Sequence, residues 1–150
     1  MDFFDSLQTS ASGLTAQRFR MNLVSNNLAN VNTTRTEQGG PYTRKDPVFA
    51  ATSANASFDD VMNAALNNKS VNSQSTEVNV VDVISDQRKP IMKYDPMHPD
   101  ADSNGFVSMP NINVMEEMVN MMAASRSYEA NVTAISTSKN MVMKALDIGK

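Results

Sequence analysis

Two clusters in the middle of the chain carry the residue types that could do chemistry. Asp100, Asp102, Asn104 and Gly105 reproduce the opening of a calcium-binding EF-hand loop, where oxygen ligands at alternate positions surround the ion and a glycine makes the turn. The last position of such a loop needs a bidentate acid, but here it is Asn111, preceded by Pro110 and set in strand-like sequence. The pattern therefore reads as an Asx/Gly turn between strands, with a calcium-binding module as the alternative. His98, the only histidine, lies between Pro96 and Pro99 with Asp95 and Asp100 nearby. A metal or general-base role needs convergent partners, and a lone loop histidine is ordinarily solvated. The chain shows no Gly-rich phosphate loop, nucleophile elbow or zinc spacing. No catalytic residue, cofactor or metal site is assigned.

Composition narrows the function classes further. The chain has 150 residues, 41% of them hydrophobic but only 6% aromatic, with no Trp, so one modest domain with a thin core is expected. With 13 basic against 16 acidic residues and no Lys/Arg cluster, nucleic-acid binding is not expected. No run approaches the roughly 18 apolar residues of a membrane span, and the N-terminus lacks the basic-then-apolar order of a cleaved secretory signal. A soluble, unprocessed chain without membrane insertion is the expectation. Absence of cysteine excludes disulfides and thiolate metal sites. Six of the 12 methionines fall in the last helix, where flexible thioethers suit irregular gaps and surfaces that meet several partners.

Two long terminal helices must position whatever the middle carries. From Asn113 to Gly149, residues Met118, Met121, Ser125, Tyr128, Val132, Ile135, Lys139, Val142 and Leu146 recur at alternating steps of three and four, the seam of a helix that docks along another. Asn113 is placed to cap its start, Glu116 to complete a capping box and Glu117 to complement the helix dipole. Arg126 and Glu129 sit three apart on the same helix, where such pairs contribute about 0.2 to 0.5 kcal/mol. At the N-terminus, Phe4, Leu7, Ala11, Leu14, Arg18, Met21, Ser25 and Leu28 follow the same alternation. Small residues from Ser10 to Ala16, including Gly13, permit a close neighbour, and the helix should end near Asn30 among Asn26, Asn27, Asn30 and Asn32.

Packed antiparallel, the two seams would set Leu28 opposite Met118, Leu14 opposite Val132 and Phe4 opposite Val142. Arg18 would then lie beside Tyr128 and Glu129, or else extend to water. Between the helices, Gly39-Gly40-Pro41 signals a turn and Tyr42 to Ala50 an extended segment. Strands are expected at Glu77 to Ser85, Ile91 to Tyr94 and, after the Asn104-Gly105 turn, Phe106 to Met109. Segments 51–57 and 67–75 read as loops around a short helix containing Phe58, Val61, Met62, Ala65 and Leu66. The fold class is α+β: long N- and C-terminal helices packed as an antiparallel coiled coil, with a small β-rich central segment. Residues 1–32 with 111–150 would form the helical domain and 33–110 the centre, with 50–75 poorly defined.

The run Ser25-Asn26-Asn27-Leu28-Ala29-Asn30-Val31-Asn32-Thr33 resembles the N-terminal signature of the bacterial flagellar rod and hook axial proteins. The stretch from Tyr94 to Asn131 resembles the FlgC family of proximal-rod proteins in particular. It does so through Gly105-Phe106-Val107, Pro110-Asn111, Glu117-Met118-Val119 and Arg126-Ser127-Tyr128, continuing through Lys139, Met141, Leu146 and Gly149. The segment from Ala50 to Ser75 carries no family pattern. The resemblance implies a structural subunit, not an enzyme. It would leave the cytoplasm through the flagellar type III export apparatus and assemble head-to-tail into the helical rod spanning the periplasm, since contacts that do not close into a ring generate an open filament. The partners it implies are other copies of the chain, the rod proteins FlgB, FlgF and FlgG, the rod-to-ring adaptor FliE and the export apparatus. Another small axial rod or hook subunit, or a self-associating helical-bundle interaction protein, is the alternative.

Overall fold

The computed structural model describes residues 3–37, 39–53, 62, 66 and 76–149. Its elements are α1 (Phe3–Ala29), β1 (Lys45–Ser53), β2 (Thr76–Ser85), β3 (Ile91–Tyr94), β4 (Phe106–Met109) and α2 (Val114–Ile148), an α+β arrangement. β1 pairs with β2, and β3 pairs antiparallel with β4, with Ile91 opposite Met109 and Tyr94 opposite Phe106. Among the described residues, no helix is long and apolar enough to cross a membrane.

Local chemistry sets the helix ends. The Asn113 side-chain oxygen accepts the Met115 N–H at 3.1 Å, satisfying one of the donors that a helix start leaves unmatched, while its carbonyl accepts the Glu117 N–H at 3.0 Å as the first bond of the helix itself. At the other junction, the Asn26 carbonyl accepts from both the main chain (3.1 Å) and the side chain (2.9 Å) of Asn30, which ends α1 at the asparagine-rich turn. The Gly39-Gly40 turn closes with Thr36 N–H donating to the Gly40 carbonyl at 2.9 Å.

Two boundaries differ from the sequence expectation. Pairing begins at Lys45 rather than Tyr42, because the Tyr42 N–H donates back to the Thr33 carbonyl at 3.1 Å and closes the preceding loop. The same strand runs to Ser53, so residues 51–53 are strand rather than loop. The short helix expected around Phe58 lies outside the described residues, apart from Met62 and Leu66, which are helical and exposed.

The chain divides into two compact bodies, and α1, β1, β2 and α2 each contribute a segment to both. In the first (Met1–Arg18, Phe49–Val81, Arg126–Lys150), polar side chains of α1 hold the start of β2. Thr9 Oγ1 donates to the Thr76 carbonyl at 3.0 Å, Ser12 Oγ accepts the Val78 N–H at 3.1 Å, and Gln8 bonds Glu77. Gly13 faces α2 so closely that an added Cβ would lie 3.0 Å from Asn131 Nδ2, which gives the glycine a packing role. In the second body (Phe19–Val48, Asp82–Ser125), Val24, Val107, Ile112 and Ala124 are buried together with Asn27 and Glu117.

The helix faces are turned relative to the expected seams. Leu7, Leu14, Met21 and Leu28 are half-buried on α1, as are Met121, Tyr128, Ile135 and Val142 on α2. Arg18, Met118, Arg126, Val132 and Leu146 are exposed. On α2 the alternate inward positions are Glu117, Ala124, Asn131 and Ser138, one residue before the expected seam positions Met118, Ser125, Val132 and Lys139. The meeting points found are Gly13 with Asn131 in the first body and Asn27 with Glu117 in the second, each one residue earlier on both helices than the expected alignment.

Gly13→Ala alone should gain less than the ~1 kcal/mol that alanine offers over glycine in a helix interior, because Asn131 must yield to the new methyl group. In an Asn131→Ala background the same change should recover that full gain. Urea titration of the four proteins of this cycle measures it. An equal gain in both backgrounds would show that Gly13 and Asn131 do not touch.

Candidate functional site

The side chains most completely withdrawn from water include an acid. Glu117, in the first turn of α2, has no solvent exposure, and neither does Asn27 near the end of α1. Burying a carboxylate is unfavourable by several kcal/mol unless charge and hydrogen bonds compensate. Both oxygens of Glu117 are occupied: Oε1 accepts from Arg44 Nε at 2.8 Å and Oε2 from Asn27 Nδ2 at 3.0 Å. The amino end of α2 adds a favourable dipole.

Asn27 uses its whole hydrogen-bonding capacity. Its Nδ2 also donates to the Lys45 carbonyl at 2.9 Å, and its Oδ1 accepts from the Lys45 N–H at 3.0 Å and the Tyr42 hydroxyl at 3.1 Å. Two donors and two acceptor sites are the full complement of an asparagine amide. Arg44 reaches outward as well, pairing with the half-exposed Asp46. The end of α1, the approach to β1 and the start of α2 are thus joined through one carboxylate and one amide.

The electrostatics follow from this geometry. Burial raises the Tyr42 pKa above its ordinary 10.0, and the nearby Glu117 charge raises it further. Burial works against the charge on Arg44, but hydrogen bonds and charge from Glu117 and Asp46 outweigh it, so the Arg44 pKa lies above its ordinary value. Every polar atom of the Glu117–Asn27 pair is already engaged and neither residue is exposed. The arrangement therefore suits fastening three segments rather than meeting a substrate.

The residues that could do chemistry by their spacing are held in turns. Asp100 Oδ2 accepts from Thr34 Oγ1 at 2.7 Å, Asp102 Oδ1 accepts the Ser103 N–H at 2.8 Å, and His98 Nδ1 accepts the Asp100 N–H at 3.1 Å. Among the described residues, no group of three or more His, Cys, Asp or Glu side chains could hold a metal ion. An open groove of about 470 Å³ runs past Thr34, Arg35, Pro41, Met92 and Phe106 in the second body, and its lining includes neither Asn27 nor Glu117.

Other positions singled out in the sequence fall into place separately. Asn26 and Ala29 are exposed and Asn30 is half-buried, whereas Pro110 is buried and Asn111 Nδ2 donates to the Lys89 carbonyl at 3.2 Å. Sequence reasoning took Asn27 for a helix-ending residue and Glu117 for a dipole charge, and it did not single out Tyr42 or Arg44 as site residues. On α2 the side away from Glu117 carries Met115 (69% exposed), Met118 (47%), Val119 (58%) and Met122 (53%). Their i, i+3, i+4, i+7 spacing places them in one apolar stripe.

Comparison with known proteins gives full-length relatives. The family model described as flagella basal body rod protein matches residues 7–35, and the one described as flagellar basal body rod FlgEFG protein C-terminal matches residues 103–148. The flagellar basal-body rod protein FlgC of Bacillus subtilis is 43% identical, with the whole of both chains covered. That of Borreliella burgdorferi is 42% identical over 99% of this chain and 98% of its own. The Escherichia coli O157:H7 protein of the same name is 37% identical over the whole of both chains.

Asn27→Ala would orphan Glu117 Oε2, both main-chain groups of Lys45 and the Tyr42 hydroxyl, at about 1–3 kcal/mol for each buried group left unmatched. A loss of at least ~3 kcal/mol in urea titration is expected, and a loss below ~1 kcal/mol would mean that the node is not formed. Because the folded-state pKa of Tyr42 is raised, its contribution is fully present below pH 10.0 and is lost as pH rises through the raised value. Tyr42→Phe should therefore remove part of the decline in stability above that pH, and an unchanged alkaline profile would contradict the assignment.

Proposed function

The chain belongs to the family of the flagellar basal-body rod protein FlgC, and on that premise we propose how its two helices serve the rod. The protein is a structural subunit of the bacterial flagellar basal body, and its association is with other rod proteins. In our reading, residues 1–32 and 111–150 pack as an antiparallel coiled coil and form the helical domain, while 33–110 lie outside it as a central segment. The chain leaves the cytoplasm through the flagellar type III export apparatus and joins head-to-tail with its neighbours, in contacts that do not close into a ring. Copies of itself, FlgB, FlgF, FlgG and the adaptor FliE are the partners proposed. No enzymatic role is assigned, in keeping with the structural role of the family.

One observation carries this reading beyond family membership: the apolar stripe of Met115, Met118, Val119 and Met122 lies open to solvent, opposite the inward face of α2. Exposed contiguous apolar surface is a mark of protein–protein contact. Arg126, one turn after Met122 and also exposed, extends the same side of the helix with a charge.

The test is complementation of a strain that lacks the protein. That strain should have basal bodies without a complete rod, and intact rods would remove the proposal. Met118→Ser with Met122→Ser, and separately Arg126→Ala and Tyr128→Ala, should still be secreted but should support fewer rods than the native chain, visible by negative-stain imaging of purified basal bodies. Normal rods from all of these variants would place the subunit contacts elsewhere.

A further inference from the structure

Between β3 and β4 the chain makes a compact turn around a reactive pair of residues. Gly105 N–H donates to the Asp102 carbonyl at 2.8 Å, Asp102 N–H to the Phe106 carbonyl at 2.9 Å, and Asp95 N–H to the Gly105 carbonyl at 2.9 Å. Asp102 Oδ1 additionally accepts the Ser103 N–H at 2.8 Å, a side-chain bond at the entry to the turn. Asn104 stands exposed at this turn.

The glycine is required there on two counts. Its φ is +76°, and an added Cβ would lie 3.0 Å from Tyr94 Cε2 and 3.3 Å from Pro96 Cβ. The Tyr94 ring is itself held edge-to-face against Phe106, with centroids 5.3 Å apart. The same glycine leaves the backbone nitrogen after Asn104 without any side chain to shield it from the Asn104 carboxamide.

We propose that Asn104-Gly105 is a site of self-modification that the closed turn restrains and an opened turn releases. In the reaction the Gly105 nitrogen attacks Cγ of Asn104. A new N–C bond forms, the Cγ–Nδ2 bond breaks, and the proton from the Gly105 nitrogen leaves with Nδ2 as ammonia. The product is a five-membered succinimide. Water then adds to one of the two ring carbonyls and reopens the ring, giving either aspartate at position 104 or an isoaspartyl link in which the main chain runs through Cγ. The balance is one water consumed and one ammonia released, with no oxidant, reductant or cofactor.

The fold bears on the first step. In the closed turn the attacking nitrogen has its hydrogen committed to Asp102, and ring closure requires that bond to break and the Asn104-Gly105 peptide to rotate. Reaction therefore proceeds from the fraction of molecules in which the turn has opened, so local stability governs the rate. The isoaspartyl product would lengthen the main chain by one carbon within the span between the Asp102–Phe106 and Asp95–Gly105 hydrogen bonds. The turn could not then re-form with the same pairing.

The experiment follows conversion at position 104 by peptide mass mapping of the full-length protein, incubated at physiological temperature and mildly alkaline pH in buffer or in guanidinium chloride. Conversion in guanidinium chloride should exceed that in buffer severalfold, because a local opening must precede reaction. Asp102→Ala, which removes the side-chain bond to Ser103 but leaves the reacting pair intact, should speed conversion in buffer and leave the rate in guanidinium chloride unchanged. Asn104→Gln should abolish the signal. Equal rates in buffer and denaturant, no conversion in denaturant, or an Asp102→Ala rate in buffer equal to that of the native chain would each overturn the proposal.

Discussion

The carboxylate of Glu117 is the constraint on which the second body depends. An acid placed out of water at the start of a helix admits few arrangements, because each oxygen needs a donor and the charge needs a counter-charge. The donors come from positions 90 and 73 residues away in sequence, Asn27 and Arg44. Removing one member of such a buried set typically costs about 3–5 kcal/mol, more than most single apolar contacts provide. The pairing therefore selects one arrangement of α1, the approach to β1 and α2 among those that apolar packing alone would tolerate. It also requires segments of both long helices to be present before the second body can close.

Polar residues inside and methionines outside make α2 the reverse of a simple amphipathic helix along its first turns. Glu117, Asn120 and Ala124 turn inward, whereas Met115, Met118, Val119 and Met122 turn out. Inward polarity is affordable only because it is matched, as Arg20 Nη2 reaches Asn120 Oδ1 at 3.4 Å and Asn27 reaches Glu117. Outward apolarity leaves surface that water covers poorly, and methionine, with its flexible polarizable thioether, adapts to partners of differing shape. The helix is therefore suited to be covered on both sides.

Much of the secondary structure was legible because it depends on local rules. Asn113 as a cap, the asparagine-rich end of α1 and the turn residues Asn104-Gly105 act within a few residues of themselves, and β3 and β4 fall where alternation and turns place them. The helix faces were less legible. A seam inferred from apolarity selected Met118 and Val132, yet the inward positions are Glu117 and Asn131, whose fitness comes from partners far away in sequence. Gly13 carried a partial signal, since a glycine inside a helix suggests a close neighbour, but only the fold shows that the neighbour is Asn131. Arg44 offered no pattern at all, being one arginine before a strand.

Asn27 has a consequence for how the chain can change over generations. Its amide gives two hydrogens and takes two, all four bonds are made, and the residue itself has no solvent exposure. Aspartate would keep the acceptors, lose the donors and set a second negative charge against Glu117. Glutamine would carry the same amide one methylene too far, and serine or histidine would lack part of the complement. No single replacement preserves the pattern, so the position has no neutral neighbours to drift through. Variation there requires a coordinated change at Glu117, Tyr42 or the backbone around Lys45.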